Sequence, residues 1–161
     1  MQKLIISVAT IAGLCAATLV AGAIPANARP TYIDSDTSAA AVGGYDVVSY
    51  FVGDGNPVKG DAKFVVRHDG ADYHFSSAKN AAAFRQNPAR FAPQYGGHCA
   101  WAMARGSLAP GDPLLFKVVD GKLFLNFNKQ VQATWLGNIA GFVGKADAAW
   151  PKIPDDAKFG G

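Results

Sequence analysis

Two Asp-Gly dipeptides, Asp69-Gly70 and Asp120-Gly121, each lie between runs in which apolar and polar residues alternate. Asp-Gly supplies the left-handed positions of a two-residue hairpin turn, and such a turn sets the strand register outward from itself. The first predicted hairpin takes residues 64–68 and 71–76. It pairs Val66 with Tyr73 and Phe64 with Phe75 on one face, and Arg67 with Asp72 and Val65 with His74 on the other. The second takes residues 114–119 and 122–127, pairing Val118 with Leu123, Phe116 with Leu125 and Leu114 with Phe127 as a core face. Ser77 and Asn128 read as helix N-caps. The first helix covers residues 78–87 with Ala81 and Phe84 inward; the second carries the stripe Val131, Trp135, Ile139 and is interrupted at Gly141 and Gly144. A shift of 51 residues lays one unit on the other without a gap, Asp69 on Asp120, Tyr73 on Phe124, Ser77 on Asn128 and Phe84 on Trp135. Two separate solutions to one hairpin-to-helix problem are slightly preferred to a duplication. The expected fold is α+β: two antiparallel β-hairpin-plus-helix units around a central Gly-Gly-His-Cys segment, in a single small domain.

That central segment, Tyr95-Gly96-Gly97-His98-Cys99-Ala100, concentrates the reactive side chains. Residues 100–105 suit a short helix that Gly106 ends, which puts Cys99 in a first turn with Met103 on the same face. Unpaired N–H groups and the positive end of the helix dipole favour thiolate there, so Cys99 is expected to be more acidic than a free cysteine. Three readings follow. As soft ligands, Cys99 and Met103 with His98 or His74 would suit a copper or zinc ion, although the adjacent His98 and Cys99 diverge by about 100° on a helix. As a redox thiol, Cys99 needs a proton partner, His98 or His74, and a partner thiol protein to complete turnover. As a structural domain, the chain uses Tyr95, Trp101 and Met103 as core and leaves Cys99 inert.

Composition narrows the classes. All twelve acidic residues are Asp, so paired-Glu catalysis is absent and a two-carboxylate hydrolase is disfavoured. The expectation is a protein that is not an enzyme. Residues 1–28 read as a secretory signal: Lys3, an apolar run over residues 4–23, and Ala26-Asn27-Ala28 as a small-x-small cleavage site before Arg29. Cys15 leaves with that leader, so the exported chain, periplasmic or extracellular, holds one cysteine and keeps no stable membrane anchor. Loss of Lys3 takes the formal charge from +3 to +2, and the basic residues stand singly, which argues against nucleic acid as partner. Residues 29–42 read as a flexible lead-in, 43–153 as the domain and 154–161 as a loose tail.

The run Tyr73-His74-Phe75-Ser76-Ser77, with Phe84, Asn87-Pro88 and the later Tyr95-Gly96-Gly97-His98-Cys99-Ala100, resembles the YHS-domain family. The runs Gly44-Tyr45-Asp46-Val47-Val48-Ser49-Tyr50-Phe51, Asp120-Gly121-Lys122-Leu123-Phe124-Leu125-Asn126-Phe127-Asn128-Lys129 and Ala146-Asp147-Ala148-Ala149-Trp150-Pro151 resemble its longer exported bacterial branch. The resemblance covers most of residues 43–153. It implies a small α+β module and, since such modules occur attached to metal-transporting ATPases, heavy-metal binding through cysteines, copper especially. Where those cysteines would stand, this chain has Val47-Val48 near Asp46, and Phe75-Ser76 with Lys79-Asn80. What remains is Cys99, in the Gly-Gly-x-Cys-Ala position of the exported branch, where the resemblance to relatives with selenocysteine implies redox use. The expectation is thus an exported, non-catalytic YHS module with a metal-ion or thiol redox site at Cys99.

Overall fold

Asp69 and Gly70 take φ of 46° and 78°, and Asp120 and Gly121 take 50° and 72°. All four lie in the left-handed region, as a primed hairpin turn requires. In the computed structural model, residues 31–33 and 39–157 are described. The leader expected over residues 1–28, with Cys15, lies outside the described residues, as do residues 158–161. In chain order the elements are β1 (Tyr45–Asp46), β2 (Val58–Lys59), β3 (Asp61–His68), β4 (Ala71–Phe75), α1 (Ala78–Gln86), α2 (Pro88–Phe91) and α3 (Ala100–Met103). They continue with β5 (Asp112–Val119), β6 (Lys122–Asn126), α4 (Lys129–Leu136) and α5 (Ile139–Ala149). Among the described residues three antiparallel strand pairs form, β1 with β2, β3 with β4 and β5 with β6. The chain is α+β, built of short hairpins and helices in a single small domain.

Close to the turns the register is the expected one. Val65 pairs with His74, Val66 with Tyr73 and Arg67 with Asp72; Phe116 pairs with Leu125 and Val118 with Leu123. Farther out it fails in both hairpins. Asp61 rather than Phe64 stands level with the end of β4, since β3 takes four steps from Asp61 to Val65 while β4 takes one. The second hairpin does the same between Asp112 and Phe116. The cause is local: the side chain of Asp61 accepts from the backbone N–H of Lys63, and that of Asp112 accepts from Leu114, each closing a turn that throws extra residues into one strand. Leu114 and Phe127 therefore do not pair in the core. They are 58% and 50% exposed.

The two units match at positions that hairpin physics does not dictate. Ser77 caps α1 and Asn128 caps α4, and 51 residues also separate the next pair of caps, Asn87 on α2 and Asn138 on α5. The carbonyl of Val65 at one bulge accepts from Arg85, and that of Phe116 at the other accepts from Gln132. Before each unit a left-handed turn recurs, Val42-Gly43-Gly44 at φ 55°, 55° and 73° and Tyr95-Gly96-Gly97 at 56°, 62° and 85°. Shared irregularities of this kind are the mark of a duplicated unit, which reverses the preference drawn from the sequence. The helical break after Trp135 is also displaced. It falls at Gly137-Asn138, where Asn138 accepts from the N–H of Gly141, and Gly141 and Gly144 lie inside α5.

Two cores result. The first gathers Val47, Tyr50, Tyr73, Phe75, Ala81, Phe84 and Phe91, and is completed by Leu123 and Leu125 of the second hairpin. The second holds Met103, Phe124, Trp135 and Ala146 and is joined by Tyr95. Ala40, Ala41 and Val42 are buried, so packing begins ahead of residue 43.

Candidate functional site

Each left-handed glycine turn is followed two residues later by a wholly buried side chain: Asp46 after Gly44, Cys99 after Gly97. The two occupy corresponding places, Asp46 in β1 and Cys99 in a parallel bridge to Leu125 of β6. Their surroundings differ. The carboxylate of Asp46 accepts at Oδ1 from the N–H of Val48 (2.9 Å). At Oδ2 it accepts from the N–H of Ser76 (2.9 Å), the Ser76 hydroxyl (2.6 Å) and the Asn80 amide (2.7 Å). A charge buried without a cation is tolerable only when hydrogen-bonded in this way. The network ties β1 to the end of β4 and the first turn of α1. These are also the places where the resemblance would put cysteines, and here Ser76 and Asn80 serve a carboxylate.

At the second position the corresponding donors are gone, because Phe127 and Val131 stand 51 residues after Ser76 and Asn80. The Cys99 thiol instead lies 3.9 Å from Oδ1 of Asn126, to which it donates. Asn126 is itself wholly buried, and among the described residues its amide nitrogen has no partner. Nothing in the alternation of β6 singled out Asn126. The signal was in the repeat, since the first unit has Phe75 there.

The remaining candidates are placed apart. Cys99 is the N-cap of the four-residue α3 and not a member of its first turn, and it is 0% exposed, so the solvent-facing position expected of a helix terminus is not what forms. The physical reason is a long-range one: Cys99 N–H donates to the carbonyl of Ala109, and β6 closes over the sulfur. Met103 points into the second core. His98 is buried, with Nδ1 2.8 Å from the carbonyl of Tyr95 and its ring 5.9 Å from Tyr32 and 6.2 Å from Trp150. Burial lowers its pKa, opposed in part by that backbone hydrogen bond. His74 is in β4 of the other unit, pressed against Gly60. Among the described residues no group of three or more His, Cys or Asp side chains is placed to hold a metal ion. The residues present do not fit a resident copper or zinc centre, because the four candidate ligands face different surroundings.

Burial also holds three phenols neutral. Desolvation raises Tyr50 and Tyr95, the latter reinforced by the Asp147 carboxylate that accepts a hydrogen bond from its hydroxyl at 2.8 Å, and pushes Tyr73 up to about 12.

The family model of the YHS domain matches residues 48–95. The match spans the first hairpin, α1 and α2 and stops short of Cys99. No curated protein and no solved structure matches the chain.

Proposed function

We propose that this protein is an exported, non-catalytic YHS-type binding module in which Cys99 is a guarded thiol. The sulfur is shut in the resting fold and meets soft ligands or a partner's thiol only when residues 95–106 part from β6. The observation that carries this reading is the complete burial of Cys99 beside an Asn126 amide nitrogen that has no partner among the described residues. An orphaned buried donor costs about 1–3 kcal/mol, and turning the carboxamide over would bring that donor to the sulfur, where an ionised or ligated sulfur accepts it. At the place of Cys99 the first unit has Asp46, whose carboxylate is fully bonded, and at the place of Asn126 it has the apolar Phe75. The second unit instead sets a polar carboxamide beside its thiol. An enzyme is disfavoured because the only side-chain hydrogen-bond partner of Cys99 among the described residues is Asn126, which is no base. Export is supported by the leader composition of residues 1–28, and the intact mass of the secreted protein should correspond to a chain starting at Arg29.

Alkylation of Cys99 against urea tests the guard. Native labelling should be slower than in the unfolded chain by about a hundredfold or more, and should accelerate at urea concentrations where the far-ultraviolet circular dichroism is still native. Labelling as fast as a free cysteine would mean an open site. Labelling only through the global transition would leave the structural reading, with an inert thiol. Protection by added Cu(I) or Zn(II) during the sub-global phase would identify a soft cation as the ligand.

A further inference from the structure

The duplicated unit supplies an internal reference for what the hairpin needs. Leu114 stands where the 51-residue shift puts Lys63, and Phe127 where it puts Ser76. Both hairpins keep the same bulge, so neither Leu114 nor Phe127 is demanded by the fold, yet both expose about half their surface. Together with Tyr32 and Tyr45 they line a cleft of about 350 Å³, a volume suited to a small organic molecule. Lys59 and Asp112 line it too. The Lys59 ammonium donates to the carbonyl of Gly43 (2.6 Å) and lies 4.6 Å over the Tyr45 ring, and among the described residues it joins no ion pair. An ammonium has three donors, so donors remain for an anion. Asp112 commits one carboxylate oxygen to the N–H of Leu114, leaving the other to accept.

We propose that this cleft binds a small aromatic carboxylate carrying a hydroxyl or N–H group. The ring lies among Tyr45, Leu114 and Phe127, the carboxylate meets Lys59, and the donor meets Asp112. The apolar walls supply burial for a flat body, and the Lys59 ammonium selects an anion over a neutral analogue. The site is separate from Cys99 and stands whether or not the thiol is guarded.

Titration of the isotopically labelled protein with 4-hydroxybenzoate, followed by amide chemical shifts, tests it, with 4-hydroxybenzamide as the neutral counterpart. Saturable shifts are expected at Gly43, Tyr45, Gly111 and Leu114, with the carboxylate bound about tenfold or more tightly than the amide. Leu114→Lys with Phe127→Ser, which installs the first unit's residues, should abolish binding while leaving the circular dichroism unchanged, and Lys59→Gln should remove the preference for the anion. Shifts elsewhere, no saturation by about 10 mM, or undiminished binding in the well-folded double variant would overturn the site. Equal affinity for carboxylate and amide in the wild type would overturn the assignment of the ligand as an anion. Should the double variant not fold, the shift map and the Lys59→Gln comparison decide the matter alone.

Discussion

Asp46 and Cys99 show how much one residue type changes at one structural position. Asp46→Ala removes the acceptor of four hydrogen bonds, leaving the N–H groups of Val48 and Ser76, the Ser76 hydroxyl and the Asn80 amide to find others. Val48 is the buried donor among them, Ser76 being exposed and Asn80 half-buried, so a loss of about 1–3 kcal/mol is expected, read as a lowered urea midpoint. An unchanged midpoint would mean that water replaces the carboxylate. Cys99→Ser puts a stronger donor and acceptor beside Asn126 and should cost far less. His98 gives a pH signature. Its folded pKa lies below the model-peptide value of 6.5, so the unfolded chain binds the extra proton first as pH falls. Stability is full above pH ~6.5 and declines as pH drops through the window between 6.5 and the folded value. His98→Gln should flatten that decline relative to wild type in urea titrations at pH 7 and pH 5, and a parallel decline in both proteins would remove His98 as its source. The burial behind this shift was not legible in Gly-Gly-His-Cys, because it depends on Tyr32 and Trp150, distant in sequence.

At the scale of elements, the hairpins were readable outward from their turns as far as Val65 and Phe116, because Asp-Gly fixes pairing by geometry alone. Beyond them the reading failed at Asp61 and Asp112. An aspartate folding back on the N–H two residues ahead looks in sequence like any polar strand residue, and alternation does not reveal it. The α1 helix was legible through its Ser77 cap and inward Ala81 and Phe84, whereas the split between α4 and α5 was hidden, since Asn138 reads as a helical residue until its side chain is seen capping Gly141. Two glycines carry the approach of the units' strands. A Cβ at Gly111 would fall 2.2 Å from the carbonyl oxygen of Gly97 and 2.8 Å from Cβ of Leu125, and one at Gly60 would fall 2.5 Å from the backbone of His74. These are backbone contacts that no rotamer relieves, so Gly111→Ala and Gly60→Ala should each destabilise by about 2 kcal/mol or more. Gly144→Ala, where a Cβ meets nothing within 4 Å, is the control and should be neutral or slightly stabilising by thermal melting.

Taken whole, the molecule divides its sequence into two units but does not divide its stability that way. The first core is closed by Leu123 and Leu125 from the second hairpin, and Tyr95, which precedes the second unit, packs into the second core. All three tryptophans, Trp101, Trp135 and Trp150, belong to the second core or pack against it, while Phe75 and Phe84 belong to the first. A substitution in the first core can therefore be read from the second. Phe84→Leu, at a wholly buried position stacked 4.9 Å from Tyr73, should cost about 1–3 kcal/mol through lost volume and ring contacts. If the shared leucines make one cooperative unit, the tryptophan-detected transition shifts to lower urea by as much as the transition in far-ultraviolet circular dichroism, with the slope unchanged. If the units unfold independently, the tryptophan transition stays at the wild-type midpoint while the circular dichroism splits in two. The first outcome is expected, because the buried strand β6 supplies side chains to both cores and cannot detach from one without opening the other.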